Sequence, residues 1–184
     1  MRLPVALLSI AAVAVAVPAM GALSVGAAAP DFNTRGAING NIFKIKLSAQ
    51  LKKGPVVLYF FPAAYTGGCN AEAHAFSEAI GDFQAAGATV IGMSTDTVPT
   101  LVKFSQEKCA GKFAVASAGP RIIKAYDVVL DRQIPDPATK VMRTVTNRTS
   151  YVIGRDGKIT YVYSNLDAKD HVALTLEAVK ALKK

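Results

Sequence analysis

The sequence predicts an α/β fold with a central mixed sheet covered by helices on both faces. Three observations lead there. A strand–helix–strand–helix run extends from Pro55 to about Lys108, and a hairpin followed by a helix closes the chain. Within the first run the segment PVVLYFF, from Pro55 to Phe61, is continuously apolar, β-branched and aromatic, as expected of a strand buried on both faces.

Taken in order, Ile42 to Leu47 alternates with the period of two of a half-buried strand, and Ser48 is placed to cap a short helical piece through Leu51. After PVVLYFF comes the loop PAAYTGG, which ends at Cys69. Ala73, Phe76, Ile80 and Phe83 then recur at spacings of three and four, giving one apolar face to a helix that Gly87 stops. Thr89 to Met93 reads as the next buried strand. Val98 to about Lys108 reads as a helix with Leu101, Val102 and Phe104 apolar. Phe113 to Ser117 fits a short strand and Ile122 to Tyr126 a short helix. From Leu130 to Thr146 the two prolines, Pro135 and Pro137, and many polar residues predict a surface loop. Ser150 to Gly154 and Lys158 to Tyr163 flank an Arg-Asp-Gly turn, a hairpin signal. Val172, Leu174, Leu176, Val179 and Leu182 populate a last helix. This order suits a thioredoxin-like architecture.

At 184 residues the chain suits one domain with a real core. Its apolar excess is concentrated in the first thirty residues. There Arg2 precedes an apolar run from Val5 to Val17, followed by the small residues Ala19, Gly21 and Ala22. A basic start, a short apolar middle and a small-residue exit form a secretory signal pattern, so residues 1–21 are expected to be a signal peptide and 22–184 the mature domain. The run is shorter than the roughly 20 residues of a bilayer-spanning helix; an uncleaved N-terminal anchor is the alternative. Export, with the bacterial periplasm as the compartment, and no stable membrane association after cleavage are the resulting expectations.

The 21 basic and 13 acidic residues give a net charge of +8. The cations are scattered and no aromatic residues interleave with a basic stripe, so nucleic-acid binding is not indicated. Two cysteines and two histidines (His74, His171) at unrelated spacings do not make a zinc site, and no metal is expected. Two cysteines in an exported chain are compatible with one structural disulfide. The surroundings of Cys69 suggest more. It follows a central strand and a Gly-rich bend and opens a helix, where unpaired N–H groups and the helix dipole favour the reactive thiolate. A buried helix-start cysteine can also be an inert small hydrophobe, and position alone leaves both readings open.

The loop from Pro62 through Thr66 to Cys69 resembles the P-x-x-x-T-x-x-C signature of the peroxiredoxins. The likeness extends to GAAAPDF near the mature start, to PVVLYFF, to AAGATVIGMSTD and to NRTSYVIGRDGKI, which resembles the family's arginine-bearing hairpin. These segments cover nearly the whole mature chain, with spacing closest to the Q-type, or bacterioferritin-comigratory, branch. The resemblance implies a thioredoxin-like fold and a thiol-dependent peroxidase without a cofactor. It would reduce hydrogen peroxide and organic hydroperoxides with electrons from a thioredoxin-like or other thiol reductant, as a monomer or weak dimer.

Site roles follow from the same resemblance. Cys69 would attack the peroxide and become a sulfenic acid. Thr66 would orient the peroxide and Pro62 shield the thiolate. Arg148 would fix the thiolate and polarise the developing charge, and backbone N–H groups of Gly68 and Cys69 would complete an anion cradle. Glu72 matches a glutamate that pairs with the arginine, although an acid near a helix start needs no such partner. Two departures stand out. Gly67 replaces a frequent Pro, and His74 stands where many Q-type members carry a second cysteine, so resolution from that position is excluded. His74 is either a proton-transfer group or an exposed helix residue. Cys109 is then either the resolving cysteine or an inert buried thiol, with an external thiol resolving Cys69. Two other functions fit the bare residues less well. A thiol–disulfide oxidoreductase would generally need C-x-x-C, and a binding domain stapled by a Cys69–Cys109 disulfide would need neither Thr66 nor Arg148.

Overall fold

A computed structural model describes residues 22–135 and 140–182 of the chain. The expected leader, residues 1–21, lies outside the described residues. The elements are β1 (Asn33–Ile38), β2 (Asn41–Lys46), α1 (Leu47–Leu51), β3 (Val56–Phe60), α2 (Gly67–Ala85), β4 (Thr89–Ser94), α3 (Val98–Glu107) and β5 (Ala114–Ser117). They continue with α4 (Pro120–Ala125), β6 (Val129–Pro135), β7 (Met142–Thr146), β8 (Thr149–Ile153), β9 (Ile159–Ser164) and α5 (His171–Ala181).

Seven strands form one mixed sheet in the order β2-β1-β5-β4-β3-β8-β9. β3 pairs parallel with β4 and β4 with β5, while β8 lies antiparallel to β3 and β9 to β8. The continuous apolar run of β3 follows from this central place, because successive side chains point to opposite faces and both faces are covered. Val56, Leu58 and Phe60 pack with Leu47 and Leu51 of α1 and Ile123 of α4. Val57, Tyr59 and Phe61 pack on the other face with Ala73, Phe76 and Phe83 of α2, Leu101 and Phe104 of α3, and Val179 of α5. Each fully buried Phe on this second face contributes about 2–3 kcal/mol of transfer free energy. Phe76 stacks on Tyr59 with ring centroids 4.3 Å apart, which fixes the angle at which α2 leaves the sheet.

Two local expectations are corrected, and one strand appears for which the sequence offered no signal. The segment from Leu130 to Thr146 is no plain surface loop, for β6 and β7 form a separate two-stranded antiparallel sheet, pairing Val129 with Thr146 and Pro135 with Met142. Most of β6 faces solvent, so its sequence carries no buried alternation to betray the strand. Ser48 does not cap α1. Its backbone N–H instead donates to Asp31 Oδ1 at 2.9 Å, an acceptor from seventeen residues earlier. β1 carries no alternating pattern and was hidden for another reason: a Cβ at Gly36 would lie 2.4 Å from the Val115 carbonyl oxygen, so the close approach of β5 requires glycine there. Gly87 does end α2, with a φ of +78° just past the C-cap Ala86.

Candidate active site

β3 delivers the chain to the carboxyl end of the sheet, where sites of open α/β folds form. Phe61 N–H still bonds the Met93 carbonyl, and the backbone then turns away from β4. Two devices shape the turn. The buried Asp96 carboxylate accepts from the Ala64 N–H at 2.7 Å, and Tyr65 adopts a φ of +67°, a costly conformation for a non-glycine residue. The Tyr65 ring rests edge-on against Phe104 of α3, 5.5 Å between centroids.

Thr66 is the extended N-cap of α2, and Asn70 N–H makes the first helical bond to its carbonyl. No side chain caps this helix start and no acid lies in its first turn. The N–H groups of Gly67, Gly68 and Cys69 are therefore the orphan donors of the helix end, and Cys69 lies in their field. Thr66, Gly67 and Gly68 are exposed, whereas Cys69 beneath them is 1 % exposed. The Thr66 hydroxyl donates to the Ala63 carbonyl at 3.0 Å, which leaves its lone pairs to accept from a bound molecule. Pro62 is half-buried at the start of the turn.

Arg148 arrives from the short link between β7 and β8. Its Nη2 donates to Cys69 Sγ at 3.5 Å, its Nη1 donates to Glu72 Oε2, and its Nε donates to the Leu166 carbonyl at 2.8 Å. Burial works against the guanidinium charge, but Glu72 and Cys69 outweigh it and hold Arg148 above its ordinary range. A planar fork held at three nitrogens cannot swing freely, which is what arginine offers here and lysine does not. Glu72 thus pairs with the arginine instead of serving the helix dipole alone. Burial pushes its carboxyl up to about 7, with Arg148 opposing the rise.

Sequence reasoning missed three buried polar groups. His171, the first residue of α5, is fully buried, with Nδ1 2.8 Å from Ser150 Oγ and 3.8 Å from Glu72 Oε1. Tyr59 was visible only as part of an apolar strand. Its hydroxyl is buried without a hydrogen-bond partner among the described residues, and the phenol is pushed up first by burial and then by Cys109, Glu72 and Cys69. Asp96 also receives the Ser94 hydroxyl at 2.8 Å and Arg143 Nη2 at 2.6 Å, tying the β6–β7 hairpin to the Cys69 loop. No spacing in the chain relates these residues; only the tertiary fold brings them together.

Cys109 follows α3 and is fully buried in the same apolar cluster as Cys69. Both thiols are free, and burial pushes the Cys109 thiol up. His74 lies on the exposed side of α2, 3.3 Å from Glu78 Oε1, and takes no part in the Cys69 cluster. Among the described residues no group of His, Cys, Asp and Glu is arranged to hold a metal ion.

A central mixed sheet with a thiol at an uncapped helix start, held by an arginine–glutamate pair, defines the thioredoxin-fold peroxiredoxin class. Residues 25–162 match the AhpC/TSA family, and the chain belongs to that family, on its Q-type, bacterioferritin-comigratory branch. It is 30% identical to the chloroplastic peroxiredoxin Q of Oryza sativa subsp. japonica over 163 residues, 88% of this chain and 69% of the relative. The peroxidoxin BcpB of Mycobacterium tuberculosis has a similar solved structure, with 28% identity, a TM-score of 0.73, and coverage of 87% of this chain and 98% of that one. At 23% identity and a TM-score of 0.67, the bacterioferritin comigratory protein of Xanthomonas campestris shares the fold over 82% of this chain and 92% of its own. That structure is described for its alkyl peroxide reduction activity.

Proposed function

We propose that the chain reduces hydrogen peroxide and organic hydroperoxides, with Cys69 as the nucleophile. The observation that carries this reading is the Arg148 fork, which reaches Cys69 Sγ and Glu72 from one guanidinium. A buried thiolate needs such a cation, and an inert core cysteine does not.

In this reading a peroxide enters over the exposed Thr66 and Gly68, with its O–H donating to Thr66 Oγ1. The Cys69 thiolate attacks the distal oxygen, the O–O bond breaks, and the sulfur leaves as a sulfenic acid while the other oxygen leaves as water or an alcohol after taking up a proton. Arg148 and the first N–H groups of α2 stabilise the charge spreading along S···O···O. Pro62 keeps water from the sulfur. Cys109 then attacks the sulfenic acid to form an intramolecular disulfide and release water, and a thioredoxin-like or other thiol reductant restores both thiols. The leader pattern in residues 1–21 supports export, with 22–184 as the working domain in a periplasm. Among the described residues no helix is long and apolar enough to cross a membrane.

The test is Cys69→Ser, a nearly isosteric change that should abolish peroxide consumption while the far-ultraviolet circular dichroism stays unchanged. Wild-type turnover in that variant would end this reading.

A further inference from the structure

Glu72 has one oxygen committed to Arg148 and the other, Oε1, buried without a hydrogen-bond partner among the described residues. That unpartnered oxygen lies 3.8 Å from Nδ1 of His171. The imidazole is fixed from both ends. Its Nε2 is 2.9 Å from the Asn165 carbonyl oxygen, and its Nδ1 is 2.8 Å from the Ser150 hydroxyl. A carbonyl only accepts, so Nε2 carries a proton, and in the neutral ring Nδ1 presents a lone pair to its neighbours. The Ser150 hydroxyl can donate to that lone pair, but an ionised Glu72 would still have its Oε1 without a donor in a dry site, because the neighbouring Nδ1 carries no proton. One proton between the two supplies that donor.

Charge balance gives the same answer. A Cys69 thiolate, a Glu72 carboxylate and the Arg148 guanidinium sum to one negative charge in a buried place, and one proton on the Glu72–His171 pair brings the sum to zero. Once the sulfur is oxidised to a neutral sulfenic acid or disulfide, Arg148 and an ionised Glu72 already balance, and the extra proton is no longer held.

We propose that His171 is a positioning residue of the peroxide reaction that, together with Glu72, holds one proton while Cys69 is a thiolate and gives it up as Cys69 is oxidised. This rests on Cys69 being the peroxide-reactive thiol. The balance of the step is RS⁻ + R′OOH + H⁺ → RSOH + R′OH. The sulfur is oxidised by two electrons, the O–O bond breaks, and the pair releases one proton as the leaving oxygen takes one up. Burial agrees with a shared proton, since it raises the carboxyl of Glu72 and lowers the imidazole of His171. The groups facing His171 are Glu72 from α2, Arg148 and Ser150 beside and on β8, and Tyr163 from β9, with its ring centroid 4.7 Å away. Asp167 and Asp170 face it from the segment leading into α5.

The test is proton counting in a single turnover. Reduced full-length protein, in weak buffer at a pH where its ultraviolet absorbance shows Cys69 as thiolate, is mixed with one equivalent of hydrogen peroxide and a pH-indicating dye. Wild type should take up close to no protons per peroxide consumed, because the pair supplies the one required. His171→Gln can satisfy Glu72 Oε1 through its amide N–H, so it should take up one proton per peroxide. One proton taken up by wild type would overturn the proposal even if the variant fails to fold, and so would equal uptake by the two proteins. Absence of peroxide consumption in wild type is a different result and would reject the peroxidase reading itself.

Discussion

A Cβ placed on Gly68 would lie 3.1 Å from Nη2 of Arg148. The guanidinium nitrogen that reaches Cys69 therefore occupies the space a side chain at residue 68 would need. Arg148 cannot easily yield, because Nε and Nη1 are held by Leu166 and Glu72. Gly68→Ala should push Nη2 away from the sulfur and slow oxidation of Cys69 by peroxide about tenfold, the effect of roughly 1.4 kcal/mol on the barrier. At Gly67 a Cβ meets nothing within 4 Å, so Gly67→Ala should oxidise at close to the wild-type rate. Stopped-flow measurement of both variants checks the pair of outcomes; equal slowing would mean that helix-start flexibility, not the space for Arg148, is what matters.

Asp96 offers a second test, of the scaffold. Its carboxylate is fully buried and holds the Ala64 N–H, the Ser94 hydroxyl and Arg143 together. Asp96→Ala leaves Arg143 without this partner and the loop N–H without its acceptor. Removing one member of a buried ion pair costs about 3–5 kcal/mol. Chemical denaturation should show a loss of that order, and proteolysis should open the Pro62–Thr66 turn and the β6–β7 hairpin together. A loss below about 1 kcal/mol would show that the hairpin does not brace the loop.

The limits of legibility follow from the same residues. PVVLYFF announced β3 because both faces of a central strand are covered, and the spacing of Ala73, Phe76, Ile80 and Phe83 announced α2 because only one face of that helix is buried. Cys69, Thr66 and Arg148 were legible through a signature loop and a hairpin. β6 was not, since its pairing rests on a solvent-facing strand and on an Arg143–Asp96 contact 47 residues apart. His171 read as an unrelated histidine because its partners Glu72 and Ser150 come from α2 and β8, and no local pattern encodes that meeting.

Glu72 predicts an unusual dependence of stability on pH. Its carboxyl is raised from the ordinary 4.5 to about 7, with burial as the main cause. A group raised in the folded state supports folding fully below its unfolded value, and that support is lost as pH rises towards the folded one. Between about pH 4.5 and 7 the protein should therefore lose stability, by on the order of 1–3 kcal/mol for a shift of this size. Urea unfolding of the reduced wild-type protein should show this slope, and Glu72→Gln should be flatter over the same window. Parallel slopes would mean that Glu72 is ionised throughout.

Cys109 is the last point to test, because its thiol begins far from readiness. It is fully buried where the chain leaves α3, and burial pushes it up, so it is a poor nucleophile in the reduced fold. Resolution of a Cys69 sulfenic acid by Cys109 needs Cα atoms within about 7 Å and a low-strain S–S bond. In this reading the first turn of α2 and the end of α3 open as the two buried sulfurs meet. The fold provides a point of coupling, since Tyr65, strained at +67°, leans on Phe104 of α3. Peroxide-treated wild type should yield a Cys69–Cys109 disulfide in non-reducing peptide maps, and hydrogen exchange should rise across 66–76 and 100–112 on oxidation. Cys109→Ser should still consume one equivalent of peroxide and then pass to sulfinic acid at lower peroxide concentrations than wild type, because its sulfenic acid is left unprotected. Intermolecular Cys69–Cys69 dimers, or no disulfide at all, would assign resolution to an external thiol and leave Cys109 as a packing residue of the core.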